Sequence, residues 1–214
     1  MRYLNVKESM RNIINLLSKD ILIKDFILVG GTAIILHINH RLSEDIDLFT
    51  QKKYIDNDQV IRSISIISNN YKVLDEYENY IEFFVNEVKV TFYSFGMPIN
   101  NKPLLNNLNI ATLNECATMK AHAITMRTSF KDYYDMYSII KEGFSLTNII
   151  EETRKKYNKF NVKIFLEKLL IKVQEDDLQN MKYKVSNEEI QNFMKNEVTK
   201  LFEELQFNSY KNHR

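Results

Sequence analysis

The stretch Phe26–Thr50, FILVGGTAIILHINHRLSEDIDLFT, constrains this chain more than any other. Its first four residues are an apolar run of buried-strand length, and the pair Gly30-Gly31 follows at once. An apolar segment led by Thr32 then suits a short helix. A polar loop leads to a second strand carrying Asp45 and Asp47, two apart and so on one face. Glycine is scarce, at 4 of 214 residues, where ordinary usage near 7% would give roughly 15. Two of those four stand together where a strand becomes a helix, so the backbone there needs close approach to something. Amide groups at a helix start are suited to an anion.

Elsewhere the pattern alternates between helix and strand, then turns helical. Val6, Met10, Ile13, Leu17 and Ile21 recur at steps of three or four, predicting an amphipathic helix over about 5–22. Asp56, Asn57 and Asp58 are candidate caps for a helix with Val60, Ile61, Ile64 and Ile67 on one face. Residues 71–77 are weakly strand-like. In YIEFFVNEVKVTFYSF, Asn86-Glu87 divides two alternating runs and predicts a two-residue hairpin, with Val85 facing Val88 and Glu82 facing Thr91. One face is then wholly apolar: Ile81, Phe83, Val85, Val88, Val90 and Phe92. The other, with Glu82, Phe84, Lys89, Thr91 and Tyr93, borders water or a cleft. Gly96, Pro98 and Pro103 end the strand and mark a crossover. From about residue 110 the pattern is helical, with Thr112–Glu115 and Ser186–Glu189 as capping boxes and a helix opening at Ser129. Lys120 and Arg127 share a helix face.

Composition excludes some classes. With 29 basic and 28 acidic residues the net charge is +1, so no global basic excess demands nucleic acid. The single Cys116 forms no disulfide within the chain. The opening residues lack the roughly 7–15 residue apolar run of a signal peptide, and no run approaches the roughly 18 residues of a membrane helix. No membrane partner is expected, and the cytoplasm is the expected location.

The chemistry follows from the first stretch. Gly30, Gly31 and Thr32 can seat phosphate oxygens at a helix start. Asp45 and Asp47 can hold hard divalent cations by oxygen, as in-line phosphoryl displacement requires. Alone, a Gly pair is most often a tight turn and Asp-x-Asp a solvated strand end. Together they describe a site for a nucleoside triphosphate and magnesium. His37 and His40 could be read as ligands beside Asp45, although oxygen-rich ligation suits magnesium better than zinc.

Gly31-Thr32, twelve residues, then Asp45-Ile46-Asp47, on strand, helix and strand, resembles the DNA polymerase β-like nucleotidyltransferase superfamily. More narrowly, GGTAIILHINHRLSEDIDLF is similar to the AbiEii/AbiGii-type nucleotidyltransferase toxins, whose pattern is GG-T-A followed by H-R-x-S-x-D-x-D-x-F. His40, Arg41, Ser43, Asp45, Asp47 and Phe49 match it. Lys120, Arg127, Lys131, Asp132 and Asp135 stand where that family carries its later motif, with Lys131 where Arg is commoner. The resemblance covers about residues 26–140.

It implies an α+β fold: a nucleotidyltransferase core with a small mixed sheet over 1–105, and a helical domain over 106–214 that completes the active site. The implied reaction moves a nucleoside monophosphate from an NTP to an acceptor hydroxyl of tRNA, other RNA or protein, with Mg2+. The implied role is a toxin of a toxin–antitoxin or phage-defence system, with a cognate antitoxin as partner. Asp45 and Asp47 would hold the metal. Asp45, Asp47, Lys120, Asp132 and Asp135 would be catalytic; Gly30, Gly31, Thr32, Arg41, Ser43, Lys120 and Arg127 would bind nucleotide. The superfamily usually adds a third carboxylate on a later strand, where this chain has Thr91. Glu82, opposite Thr91 in the expected hairpin, could supply that oxygen; otherwise the site works with one metal and two aspartates, or is degenerate. A metal-dependent phosphohydrolase using the same aspartates with His37 or His40, and a non-catalytic nucleotide-binding module, remain open alternatives.

Overall fold

The computed structural model describes residues 6–173, 181 and 185–211. The chain divides into two compact units, Met1–Cys116 and Ala117–Arg214.

In the first unit, helix α1 (Glu8–Lys19) buries Met10, Ile13, Ile14 and Leu17. It is shorter than expected, and position 5 lies outside the described residues. Asp20 ends it: its carboxylate accepts the Leu22 amide at 2.9 Å and opens a separate 3-10 turn over Ile21–Asp25. Strand β1 (Phe26–Val29), helix α2 (Gly30–Ile38) and strand β2 (Asp45–Thr50) follow as the pattern predicts. Helix α3 (Asn57–Ile67) is capped by Asp56, which accepts the Gln59 amide at 2.9 Å.

Strands β3 (Tyr71–Tyr77), β4 (Tyr80–Val85), β5 (Val88–Ser94), β6 (Asn101–Leu105) and β7 (Leu108–Ala111) complete one sheet of order β3-β4-β5-β2-β1-β7-β6. It is mixed, since β2 is antiparallel to β1 but parallel to β5, and β1 is parallel to β7. At seven strands it exceeds the small sheet expected, because the segment after Gly96 holds a second hairpin. Pro103 lies inside β6, not in a crossover loop. There it sits on an edge strand beside a register shift, where a missing amide donor is tolerated.

The β4–β5 hairpin has the register read from the sequence, Val85 opposite Val88 and Glu82 opposite Thr91. Asn86 and Glu87 both take positive φ, 46° and 68°, as a two-residue turn matched to strand twist requires. Its apolar face is buried throughout, and Phe92 meets Phe26 and Phe83 edge to face at 5.1 and 6.0 Å. Helices α1 and α3 pack together; α1 reaches β7, and α3 reaches β3 and β4. The apolar face thus lies in the core, leaving the polar face of β2, β4 and β5 to carry chemistry.

Helix α4 (Leu113–Met126) begins in the first unit and ends in the second. Half of its expected capping box forms. The Glu115 amide donates to the Thr112 hydroxyl at 3.2 Å, whereas the Glu115 carboxylate accepts from the Asn100 amide at 3.3 Å. The second unit continues with α5 (Phe130–Lys141), α6 (Leu146–Lys156), α7 (Val162–Leu170) and α8 (Asn187–Lys211). Ser129 precedes α5 without a side-chain cap. Ser186 and Glu189 form the full reciprocal box at α8, at 2.7 and 3.2 Å. Helix α8 meets α5, α6 and α7, with Tyr137 against Phe193 at 4.9 Å.

The two faces of the hairpin have unequal energetic weight. Phe92→Ala is expected to cost about 3–5 kcal/mol in urea denaturation. Phe84→Ala, on the open face and 45% exposed, should stay within about 0.5 kcal/mol.

Candidate active site

The glycine pair proves to be where side chains of the chain itself approach the backbone. Helix α2 starts at Gly30, which has φ +69°; a Cβ there would lie 2.2 Å from Asp47 Oδ2. A Cβ on Gly31 would lie 2.3 Å from an Arg41 guanidinium nitrogen. Only glycines let the Asp47 carboxylate and the Arg41 guanidinium rest on the first turn of α2. Arg41 is buried and donates from Nη1 to the Leu42 carbonyl at 2.8 Å. Thr32, fully buried, is hydrogen-bonded to the Ser43 hydroxyl at 2.8 Å and to the backbone carbonyl of Asp45. These bonds clamp the start of α2 to the start of β2, so the hydroxyl read as a phosphate donor is here engaged with protein.

Asp45 is exposed and Asp47 half-buried, while Ile46 and Leu48 between and beyond them are fully buried, so both carboxylates share the open face. The parallel β2–β5 pairing sets Lys89 beside Asp45 and Thr91 beside Asp47. Glu82 joins from β4. Its Oε1 accepts from the Tyr80 hydroxyl at 2.7 Å and the Thr91 hydroxyl at 3.3 Å, and pairs with Lys89 Nζ at 3.2 Å. Burial pushes the Glu82 carboxyl up, but these bonds from Tyr80, Lys89 and Thr91 outweigh it and hold it below its ordinary range. Burial likewise pulls Lys89 down, yet the Glu82 bond and the charges of Asp45, Glu82 and Asp47 leave it above the usual lysine value. Burial first, and then the Glu82 hydrogen bond, raise the Tyr80 phenol well above its ordinary value.

Two adjacent hard carboxylates, one seated in a glycine cradle at a helix start, suit magnesium, which takes one or two protein carboxylates and completes its shell with water and substrate phosphate. Glu82 is not gathered to them: among the described residues no group of three or more His, Cys, Asp or Glu could hold a metal. That includes the histidines. His37 Nε2 lies 2.8 Å from the Ala111 carbonyl, with its pKa lowered by burial, and His40 is completely buried.

The later motif forms a cluster of its own in the second unit. Lys120 Nζ bridges Asp132 Oδ1 at 2.7 Å and Asp135 Oδ2 at 2.9 Å. Arg127 grips Asp132 with Nε at 2.7 Å and Nη2 at 3.1 Å. Seven residues apart, Lys120 within α4 and Arg127 just past its end both reach the start of α5. Lys120, Asp132 and Asp135 are buried, and Arg127 keeps its side chain 65% exposed. Burial opposes the charge of Lys120, but Asp135 and Asp132 raise its pKa; burial likewise opposes that of Asp132, which Lys120 and Arg127 lower.

Sequence reasoning used neither Lys89 nor Tyr80. The hairpin register already set Lys89 diagonal to Glu82, a signal that could have found the pair. Its nearness to Asp45 depended on the parallel β2–β5 pairing, which no local pattern encodes.

Residues 14–208 match the nucleotidyl transferase AbiEii toxin family of type IV toxin–antitoxin systems. An uncharacterised protein of Aquifex aeolicus is 32% identical over 151 residues, 68% of this chain and 73% of that protein. Among solved structures, JHP933 from Helicobacter pylori is similar at TM-score 0.54 and 19% identity, over 96% of this chain and 99% of that one. MenT4, a nucleotidyltransferase toxin from Mycobacterium tuberculosis, is similar at TM-score 0.57 and 11% identity, over 86% of this chain and 81% of that one. At such identities the two structures speak for the fold.

Two outcomes follow from this geometry. Lys120→Met takes the shared buried cation from Asp132 and Asp135, leaving Arg127 on Asp132, and should cost about 3–5 kcal/mol in urea denaturation at pH 7. Because the Asp132 pKa is depressed in the folded state, the stability it contributes is present above its unfolded pKa and is lost as pH falls below about 4. Lys120→Met should therefore flatten the acid limb of the stability profile.

Proposed function

The chain belongs to the nucleotidyl transferase AbiEii toxin family of type IV toxin–antitoxin systems, and we propose that it moves a nucleoside monophosphate from an NTP to an acceptor hydroxyl at the open face of β2. It is a nucleotidyltransferase, and the family implies a nucleotide substrate and an antitoxin partner. The observation that carries the proposal is the Asp45–Asp47 pair on one face, with Asp47 Oδ2 seated against Gly30.

In this reading Asp45 and Asp47 hold Mg2+, which supplies Lewis acidity at the reacting phosphate when bound. The Gly30 and Gly31 amides and Arg41 offer positive potential to the phosphates at the start of α2. Thr32 and Ser43 keep that helix start in register with β2. The acceptor oxygen bonds to the α-phosphorus as the hydroxyl gives up its proton; the bond to the β-phosphate breaks and pyrophosphate leaves. Motif order assigns Lys120 and Arg127 to the triphosphate. The acceptor we favour is RNA, tRNA above all, and Arg154, Lys155 and Lys156 at the end of α6 offer its backbone basic charge. Action in the cytoplasm in phage defence fits this reading. Among the described residues no helix is long and apolar enough to cross a membrane.

The test is incubation of the purified chain with each NTP labelled at the α-phosphate, Mg2+ and either total RNA or protein extract. Label should pass to RNA, require Mg2+ and vanish in Asp47→Ala. Labelling that survives Asp47→Ala, or its absence with every nucleotide and both acceptors, overturns the proposal.

A further inference from the structure

Away from the aspartates, we propose that the first unit holds a second small-molecule site, for a nucleotide whose base enters a cavity between the 3-10 turn and α3. The cavity encloses about 590 Å3, within the size range of small-molecule sites. It lies at the other end of the β1–β2 pair: Phe26 and Thr50 line it and pair with each other, while Asp47 pairs with Val29 three residues along. That separation is about 10 Å of strand. Ile23, Phe26 and Val60, all buried, give apolar walls, and the Tyr54 ring, 54% exposed, adds an aromatic surface on which a base can stack.

Two polar side chains point to the chemistry of the ligand. Gln59 and Ser63 both line the cavity and stand four apart on α3, so they share one helix face. Ser63 is completely buried, and its hydroxyl has no hydrogen-bond partner among the described residues. A buried hydroxyl left unmet is costly, and a polar ligand atom would relieve that cost. Among the described residues Gln59 engages only through its backbone amide, bound to Asp56 at 2.9 Å. Its side-chain amide therefore presents a donor beside an acceptor, the pattern that matches the edge of a nucleobase. The phosphate is placed by Lys24 and Lys52. Both also line an adjoining polar cavity of about 190 Å3 that reaches Asn101 and Asn109. The carboxylates nearby are engaged: Asp25 holds Lys52 at 2.5 Å, and Asp56 caps α3. Lys24 pairs with no carboxylate among the described residues, which leaves its ammonium for an anion.

The experiment is isothermal titration calorimetry of the full chain in EDTA with adenosine, guanosine, cytidine and uridine and with their monophosphates, alongside thermal unfolding. EDTA removes the metal through which Asp45 and Asp47 would hold a nucleotide. At least one monophosphate should bind once per chain and more tightly than its nucleoside, and Asp47→Ala should bind it as wild type does. Ser63→Ala should weaken it about tenfold, the scale of one hydrogen bond, with an unfolding temperature no lower than that of wild type. Gln59→Leu should remove the preference among bases, and Lys24→Met should bring the affinity for the monophosphate down to that for the nucleoside. Failure of every probe to bind, or binding that Ser63→Ala and Gln59→Leu leave unchanged, overturns the proposal. Binding that is lost in Asp47→Ala puts the nucleotide at the aspartates and overturns it equally.

Discussion

Everything at this site depends on one contact, the Asp47 carboxylate lying on the backbone of Gly30. Its geometry leaves no space: a Cβ would sit 2.2 Å from Oδ2. The contact ties the last residue of the β1 hydrogen-bond ladder, Val29 opposite Asp47, to the first turn of α2. It also brings a negative charge to the positive end of a helix, which lowers the cost of holding a carboxylate there. The Thr32–Ser43 bond and the Thr32–Asp45 bond repeat the same tie within that first turn. The backbone that carries Asp45 and Asp47 is thereby fixed by buried bonds between regular elements.

Much of this was legible because it is local. The strand-turn-helix-strand order, the period-2 placement of Asp45 and Asp47, and the hairpin register from Asn86-Glu87 all follow from neighbours in sequence. What escaped was non-local or masked by composition. The β6–β7 hairpin was hidden because Pro103 argues against a strand, yet an edge position with a register shift tolerates it. The purpose of the glycine pair was also only half visible. Sequence says that something must come close, but only the fold shows that the nearest atoms are Asp47 and Arg41.

On the open face one side chain sets the partners of its neighbours. With a carboxylate at position 91 the sheet would present three oxygens to metal. Thr91 instead donates to Glu82, and Glu82 draws in Lys89. The open face thus carries an acid–base pair, Glu82 with Lys89, beside two aspartates. The hairpin turn supports this at a distance, since a one-residue slip would send Glu82, Lys89 and Thr91 to the apolar face and their partners out to water.

The chain holds two aspartate pairs, and their surroundings set them apart chemically. Asp132 and Asp135 are buried, with Lys120 and Arg127 within 2.9 Å and 2.7 Å of their oxygens. Their charge is already matched, so drawing in a metal ion would first require breaking a network whose desolvation has been met. Asp45 is exposed and Asp47 half-buried, and their face is open. The spacing of the first pair is two on a strand and of the second three on a helix, and either spacing brings carboxylates to one side. Burial and counter-charge, more than spacing, set the two pairs apart: the second is buried against Lys120 and Arg127 and holds α5 to α4.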